Sequence, residues 1–142
     1  MISLATWILW VHILAAAVWL GGAAAVLTAV LPAAERARAA VARRAHFLTS
    51  RAMEVLILTG VLNVLMKGMQ SSFTLSPGFF AMLALKMVLL LVMAALQIWM
   101  GAAWRRAGEG SGDATRRARI SLSVQCLFGA VAVLLGLGLR AA

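Results

Sequence analysis

The feature that most constrains this chain is a set of four long apolar runs, which together use most of its 142 residues. The runs span about 4–31, 47–66, 78–104 and 120–139. Each is long enough to cross a bilayer as a helix, which takes about 20 residues. The sequence therefore predicts an all-α, polytopic membrane protein: one domain over 1–142, built as an up-down bundle of four transmembrane helices with short connections.

Basic residues are concentrated at one end of these runs. Nine lie in the segments between the first and second runs and between the third and fourth, whereas only Lys67 and Arg140 lie at the opposite ends. This asymmetry is typical of cytoplasmic loops, so we expect a multi-pass protein of a bacterial inner membrane with both termini periplasmic. The nine residues are Arg36, Arg38, Arg43, Arg44, Arg105, Arg106, Arg116, Arg117 and Arg119.

The net charge of +9 is then explained by topology. Arginines beside a membrane attract anionic lipid head groups, so membrane lipids are expected partners and nucleic acid is not. Local signals also place the helix ends. Pro32 closes the first span and Pro77 begins the third helix. The Ala- and Arg-rich stretch AAERARAAVARRAHF favours a second helix that starts before the bilayer, and the Gly-rich GEGSGD predicts a turn.

Two ionisable side chains lie inside the spans near the periplasmic side. His12 and Lys86 each follow the outer start of their helix by eight residues, which places both roughly 12 Å into the bilayer. Thr59 and Asn63 reach a similar level on the second helix. Ionisable groups within spans are costly and usually mark a function, so we predict a site here. The structural alternative is a His12 that only hydrogen-bonds Asn63 or a backbone carbonyl.

Methionines recur beside Lys86 on the third helix. Met82, Lys86, Met93, Gln97 and Met100 are spaced by four, seven, four and three residues, which places them on one helical stripe. Any single Met is explained well enough as a filler of irregular gaps. An amine on the same stripe has no such explanation.

A second polar layer lies nearer the cytoplasmic side. Arg51, Glu54, Gln97 and Gln125 sit roughly 7–11 Å from the inner ends of their spans, and Arg51 and Glu54 can pair at i, i+3. We expect these residues, together with Asn63, to form a structural polar network that joins helices. A solvated His46 is expected at the interface.

The residue types restrict the chemistry available at His12. Glu54 is the only acid in any span, no Ser or Cys shares the depth of His12, and one His gives too few ligands for zinc. Two candidates remain open. Cu(I) accepts imidazole and thioether, which His12, Met82, Met66 and Met69 would supply. Haem b needs axial ligands, which His12 and Lys86 would supply.

Three segments carry a family resemblance: HILAAAVWLGG in the first helix, LTG (Leu58–Gly60) in the second and ALKMVLLLVM (Ala84–Met93) in the third. They resemble the copper resistance protein D (CopD) domain and are similar to the related HemJ-type protoporphyrinogen oxidases. Trp-Leu-Gly-Gly in the first helix favours the CopD side.

The resemblance implies a four-helix core in which His12 and Lys86 form the functional pair. On the CopD side it implies a protein that binds or imports copper. On the HemJ side it implies b-haem and an oxidoreductase, with the same pair as haem ligands. A third possibility is an accessory subunit of a larger membrane complex, or a homo-oligomer, in which the polar layers only fix packing.

Overall fold

Four long helices make up almost all of the structure, a computed structural model that describes residues 3–32, 35–72, 76–106 and 112–141. They are α1 (Leu4–Ala25), α2 (Glu35–Gln70), α3 (Pro77–Arg106) and α4 (Gly112–Ala141). A π-helical turn, Val26–Val30, continues α1. The described residues contain no strand, so the predicted all-helical architecture is confirmed.

Each helix is long and apolar enough to cross a membrane, over Leu4–Val30, Ala40–Gln70, Pro77–Ala102 and Thr115–Gly138. The first and third stretches match the predicted spans closely. The 36 residues of α2 correspond to about 54 Å, which exceeds a hydrocarbon core of about 30 Å. The Ala- and Arg-rich segment is part of this helix, which is longer than one bilayer crossing requires. Of the predicted GEGSGD turn, residues 108–111 lie outside the described residues.

Side-chain contacts show that consecutive helices run antiparallel. His12, near the start of α1, contacts Thr59 near the end of α2. Gln97 of α3 reaches back to Thr49 in the first half of α2. The Lys86 amine lies beside Gly136, near the end of α4. Because α1 also packs against α4, the four helices form a closed up-down bundle.

The interior of the bundle contains two apolar layers. One, in the middle, consists of Trp19, Ala52, Met53 and Met93. The other is at the inner end, and its buried members are Ala23, Val26, Leu31, Met100, Ala118 and Leu122. Polar side chains occupy the levels outside and between these layers, so the bundle is stratified along its axis.

Large apolar side chains cover much of the outer surface of all four helices. Leu14, Leu58, Leu91 and Leu134 each expose more than half of their surface. In water such a surface would drive association or aggregation, whereas lipid chains accept it. The indole rings of Trp7 and Trp10, near the N-terminal end of α1, are also exposed. Tryptophan is enriched at membrane–water interfaces.

The inner end of α1 departs from regular α-helix. The Thr28 hydroxyl donates to the Ala24 carbonyl at 2.8 Å, and the Leu31 amide donates to the Val26 carbonyl at 2.9 Å. A threonine that bonds the preceding turn competes with the helical ladder, and Pro32 has no amide hydrogen to extend it. Both effects favour the wider π turn before the chain leaves the bundle.

Candidate functional site

His12 faces the adjacent helix α2 from the outer half of α1. Its Nδ1 lies 2.8 Å from the Thr59 hydroxyl oxygen. Gly60 lies beside the ring, because a Cβ at that position would be 3.5 Å from His12 Cε1. The glycine leaves room for the imidazole between the two helices.

The hydroxyl of Thr59 fixes the tautomer of the imidazole. Its single proton is donated to the Val55 carbonyl at 2.6 Å, so its oxygen can only accept from His12. The proton of a neutral His12 is therefore on Nδ1, which leaves the lone pair on Nε2. A hydrogen bond from the other ring nitrogen is the usual way in which a protein prepares a histidine as a metal ligand.

Lys86 projects from α3 toward α4. A Cβ at Gly136 would lie only 3.0 Å from Nζ, so the glycine allows the amine to approach the α4 backbone. The side chain is partly buried, and within the described part of the chain its amine has no hydrogen-bond or ion-pair partner.

His12 and Lys86 lie on helices that are diagonal in the bundle. Backbone contacts join each helix to its two neighbours, and the described residues show none between α1 and α3. Both side chains are partly buried, and each lies beside a glycine of a neighbouring helix.

The three predicted thioether ligands differ in placement. Met82 is one turn outward of Lys86 and is 36% exposed, and its sulfur lies 3.4 Å from where a Gly138 Cβ would be. Met66 is partly buried. Met69 is 66% exposed, so it points away from the bundle interior and does not join His12. The sequence places Met69 near the right depth, but depth alone does not decide which face of α2 carries it.

An apolar layer closes the site on its inner side. Trp19, two turns inward of His12, is only 3% exposed and packs with Ala52, Met53 and Met93. The indole nitrogen of Trp19 is buried without a hydrogen-bond partner. The polar groups around His12 therefore do not continue inward through this layer.

Beneath that layer, Gln97 joins α3 to α2. Its amide nitrogen donates to the Thr49 hydroxyl at 2.8 Å and to the Ser50 hydroxyl at 3.3 Å, and it lies 3.4 Å from His46 Nδ1. His46 packs against Gly101 and is partly buried, so it is less solvated than the sequence suggests. The structural role expected of Gln97 is consistent with these contacts.

The other predicted polar residues behave differently. Arg51 and Glu54 pair at 2.6 Å, but both belong to α2 and their side chains are 61% and 60% exposed. Contrary to the expectation from sequence, they lie on the outward face of α2 and join no two helices within the described part of the chain. Gln125 is fully buried and bonds Ser121 one turn away. Asn63 is partly buried, and the partner of His12 is Thr59 instead.

Hydroxyl side chains are the functional residues that the sequence-based reasoning undervalues. Thr59 orients the imidazole, and Thr49 and Ser50 bind Gln97. Thr59 is four residues before Asn63, so the sequence places both on the same face of the second helix at a similar depth. It does not indicate which of the two contacts His12.

The described residues contain no group of three or more His, Cys, Asp or Glu side chains arranged to hold a metal ion. A ligand set at His12 must therefore be completed by thioether, amine or external donors. Comparison with protein-family models, curated proteins and solved structures gives no match for this chain.

Proposed function

We propose that this protein binds Cu(I) in the outer half of a membrane-embedded bundle, with His12 Nε2 as the principal ligand. The observation that carries the proposal is the 2.8 Å contact between His12 Nδ1 and the Thr59 hydroxyl oxygen, whose own proton is donated to the Val55 carbonyl. It places the lone pair on Nε2, in a partly buried position where an unused imidazole would be costly. Imidazole is a good ligand for copper.

Met82 is the preferred soft partner, and partly buried Met66 is the alternative. Thioethers select Cu(I) over harder cations, which suits a site without acidic residues. Lys86 acts as a charge gate, because a protonated amine repels a cation and a neutral amine admits it. Met69 has no part in this ligand set, since its side chain points outward.

The resemblance of the segments around His12 and Lys86 to the CopD domain supports this proposal, as does the depth of both residues. We place the protein in a bacterial inner membrane with the site open to the periplasm, on the strength of the charge asymmetry. Import is a further step. Copper could pass inward only if the layer around Trp19 opened, so binding is the activity that the geometry favours.

Haem b is the second candidate, favoured by one specific observation. His12 and Lys86, the two nitrogen donors, belong to the diagonal helices α1 and α3. Glycines beside each, Gly60 and Gly136, leave space next to the ring and the amine. The haem would supply redox chemistry, and His12 and Lys86 would hold it.

One preparation separates the two candidates. The protein is purified in mild detergent, its absorption spectrum is recorded, and copper is measured after incubation with Cu(I). Copper retained at one ion per chain by the wild type and lost by His12→Ala, without a Soret band, would support the proposal. His46→Ala is the matched control and should retain copper. A Soret band in the wild type that is lost in His12→Ala would contradict the copper proposal and identify haem as the bound group.

A further inference from the structure

The outward face of α2 carries an unusual stripe of side chains. Six residues follow one another at intervals of four, three, four, three and four, and each is between 47% and 62% exposed. This is the spacing of the a and d positions of a coiled coil, whose period of 3.5 residues keeps one seam facing a partner helix. The α2 stripe consists of Phe47, Arg51, Glu54, Leu58, Val61 and Leu65.

The contact between His12 and Thr59 fixes the depth of this stripe. His12 is eight residues inward of Leu4, where α1 begins, so the level of Leu4 on α2 is eight residues outward of Thr59, at Lys67. A hydrocarbon core of about 30 Å takes about 20 residues and ends near Phe47. Arg51 and Glu54 then lie about 6 Å and 10 Å inside the inner boundary.

A charged pair at that depth should not face lipid. Charged side chains within spans almost always face the bundle interior, a water-filled cavity or a partner. Arg51 is held over the Phe47 ring at 5.2 Å and paired with Glu54, so both are ordered on the exposed face. No other helix of the described chain covers them, since both side chains remain about 60% exposed.

We propose that the α2 stripe is the interface of a homodimer, covered by the same stripe of a second copy around a two-fold axis along the membrane normal. The stripe is self-complementary in charge. Two parallel copies of α2 place Arg51 of each near Glu54 of the other, because the two positions differ by only about 4.5 Å along the helix. The result is a closed ring of four alternating charges that is shielded from lipid. Leu58, Val61 and Leu65 pack against their counterparts farther along α2, toward its C-terminal end.

Charge exchange tests this interface, which is independent of the copper proposal. Arg51→Glu gives an acidic stripe and Glu54→Arg a basic one. Each alone should lose self-association by about tenfold or more in detergent and in vesicles, because like charges then meet across the interface. Mixed together, the two variants should form a heterodimer. A monomeric wild type, or a dimer that neither variant weakens, would overturn the proposal.

Crosslinking gives a second readout that avoids charge changes. In a Cys126→Ala background, Leu58→Cys on the stripe and Leu127→Cys on α4 introduce thiols at positions that are equally exposed, at 62% each. A short bismaleimide should link two copies through Leu58→Cys and fail to do so through Leu127→Cys. Equal crosslinking at both positions would show that the copies meet only by random collision.

Discussion

At the scale of single residues, the role of His12 is decided by an oxygen on the next helix. An imidazole in an apolar helix is compatible with a structural hydrogen bond or with ligand binding. The hydroxyl of Thr59 donates its hydrogen bond to the Val55 carbonyl. The bond to His12 therefore uses Nδ1–H and leaves Nε2 with its lone pair. The structural hydrogen bond and the proposed ligand role are therefore compatible, because the first would prepare the second.

Thr59→Val is the most direct test of that arrangement. Valine keeps the shape of the side chain but removes the acceptor, so His12 loses the bond that fixes its tautomer. Loss of such an outer partner typically lowers metal affinity about 10- to 100-fold, and we expect that decrease in a Cu(I) competition titration. Thr28→Val, which removes a hydroxyl bonded only to the Ala24 carbonyl, should bind as the wild type does. Equal affinity of Thr59→Val and wild type would contradict the role of the hydroxyl.

Lys86→Met tests whether Lys86 acts as a charge gate or as a ligand. The substitution keeps an unbranched side chain and removes the amine that would carry the positive charge. If the site holds copper, removal of a repelling charge should raise the apparent Cu(I) affinity by about tenfold at neutral pH. Methionine can itself bind Cu(I), so Lys86→Leu is measured beside it. Weaker copper binding in both variants would contradict the gate.

At the scale of helices, the length of the apolar runs and the positions of proline predict the elements well. The four spans, the early start of α2 and Pro77 at the start of α3 all follow from composition and local chemistry. The π turn at Val26–Val30 does not, because it depends on which acceptor the Thr28 hydroxyl takes. Hydropathy has no term for that choice.

The candidate site is predictable in depth but less so in direction. Counting residues from the ends of α1 and α3 brings His12 and Lys86 to one level. It cannot distinguish Met82, beside Gly138, from Met69, which faces outward. Nor does it show that Arg51 and Glu54 lie on the outer face of α2. An apolar helix in a membrane has lipid-facing and core-facing residues of similar hydrophobicity, so the amphipathic signal that orients a soluble helix is weak here.

Glycines determine how closely the helices approach. His12 lies over Gly60, His46 over Gly101, Lys86 over Gly136 and Trp19 over Gly129, each glycine belonging to a neighbouring helix. Small residues at such contacts let a large or polar side chain fit against a backbone. Each of these large or polar side chains therefore packs where a glycine of the neighbouring helix leaves room for it.

Gly129→Ala tests whether such a contact requires glycine, and Gly21→Ala is the control. A Cβ at 129 would be 2.9 Å from the buried Trp19 ring and from Leu20, whereas nothing lies within 4 Å of one at 21. Overpacking costs about 1–3 kcal/mol, so we expect Gly129→Ala to unfold at lower denaturant concentration. Gly21→Ala should be neutral or stabilising by up to about 1 kcal/mol, the gain in helix propensity. Equal stability of both variants in detergent would show that α1 and α4 are loosely packed.

At the scale of the whole molecule, polar and apolar layers alternate along the bundle axis. The outer polar layer contains His12, Thr59 and Lys86, and the inner one contains Thr49 and Gln97. Between them lies the apolar layer around Trp19. Such stratification isolates the outer site from the inner end, so the side on which the bundle opens determines where any ligand comes from.

The orientation of the bundle is therefore the prediction on which the source of the ligand depends. Nine basic residues at one end against two at the other should hold that end in the cytoplasm. In a Cys126→Ala background, Ser72→Cys marks the opposite end and Ala40→Cys the basic one, both at exposed positions. A membrane-impermeant maleimide applied to spheroplasts should label Ser72→Cys at once and Ala40→Cys only after permeabilisation.

Both substitutions leave every charge in place, so they do not disturb the asymmetry that they report on. Labelling of both thiols only after permeabilisation would indicate that the protein is not inserted as a spanning bundle. The reverse pattern, with Ala40→Cys labelled first, would place the His12 layer near the cytoplasm. Copper or haem would then have to reach His12 from inside the cell, and a role in periplasmic copper binding would be wrong even if the ligands were correct.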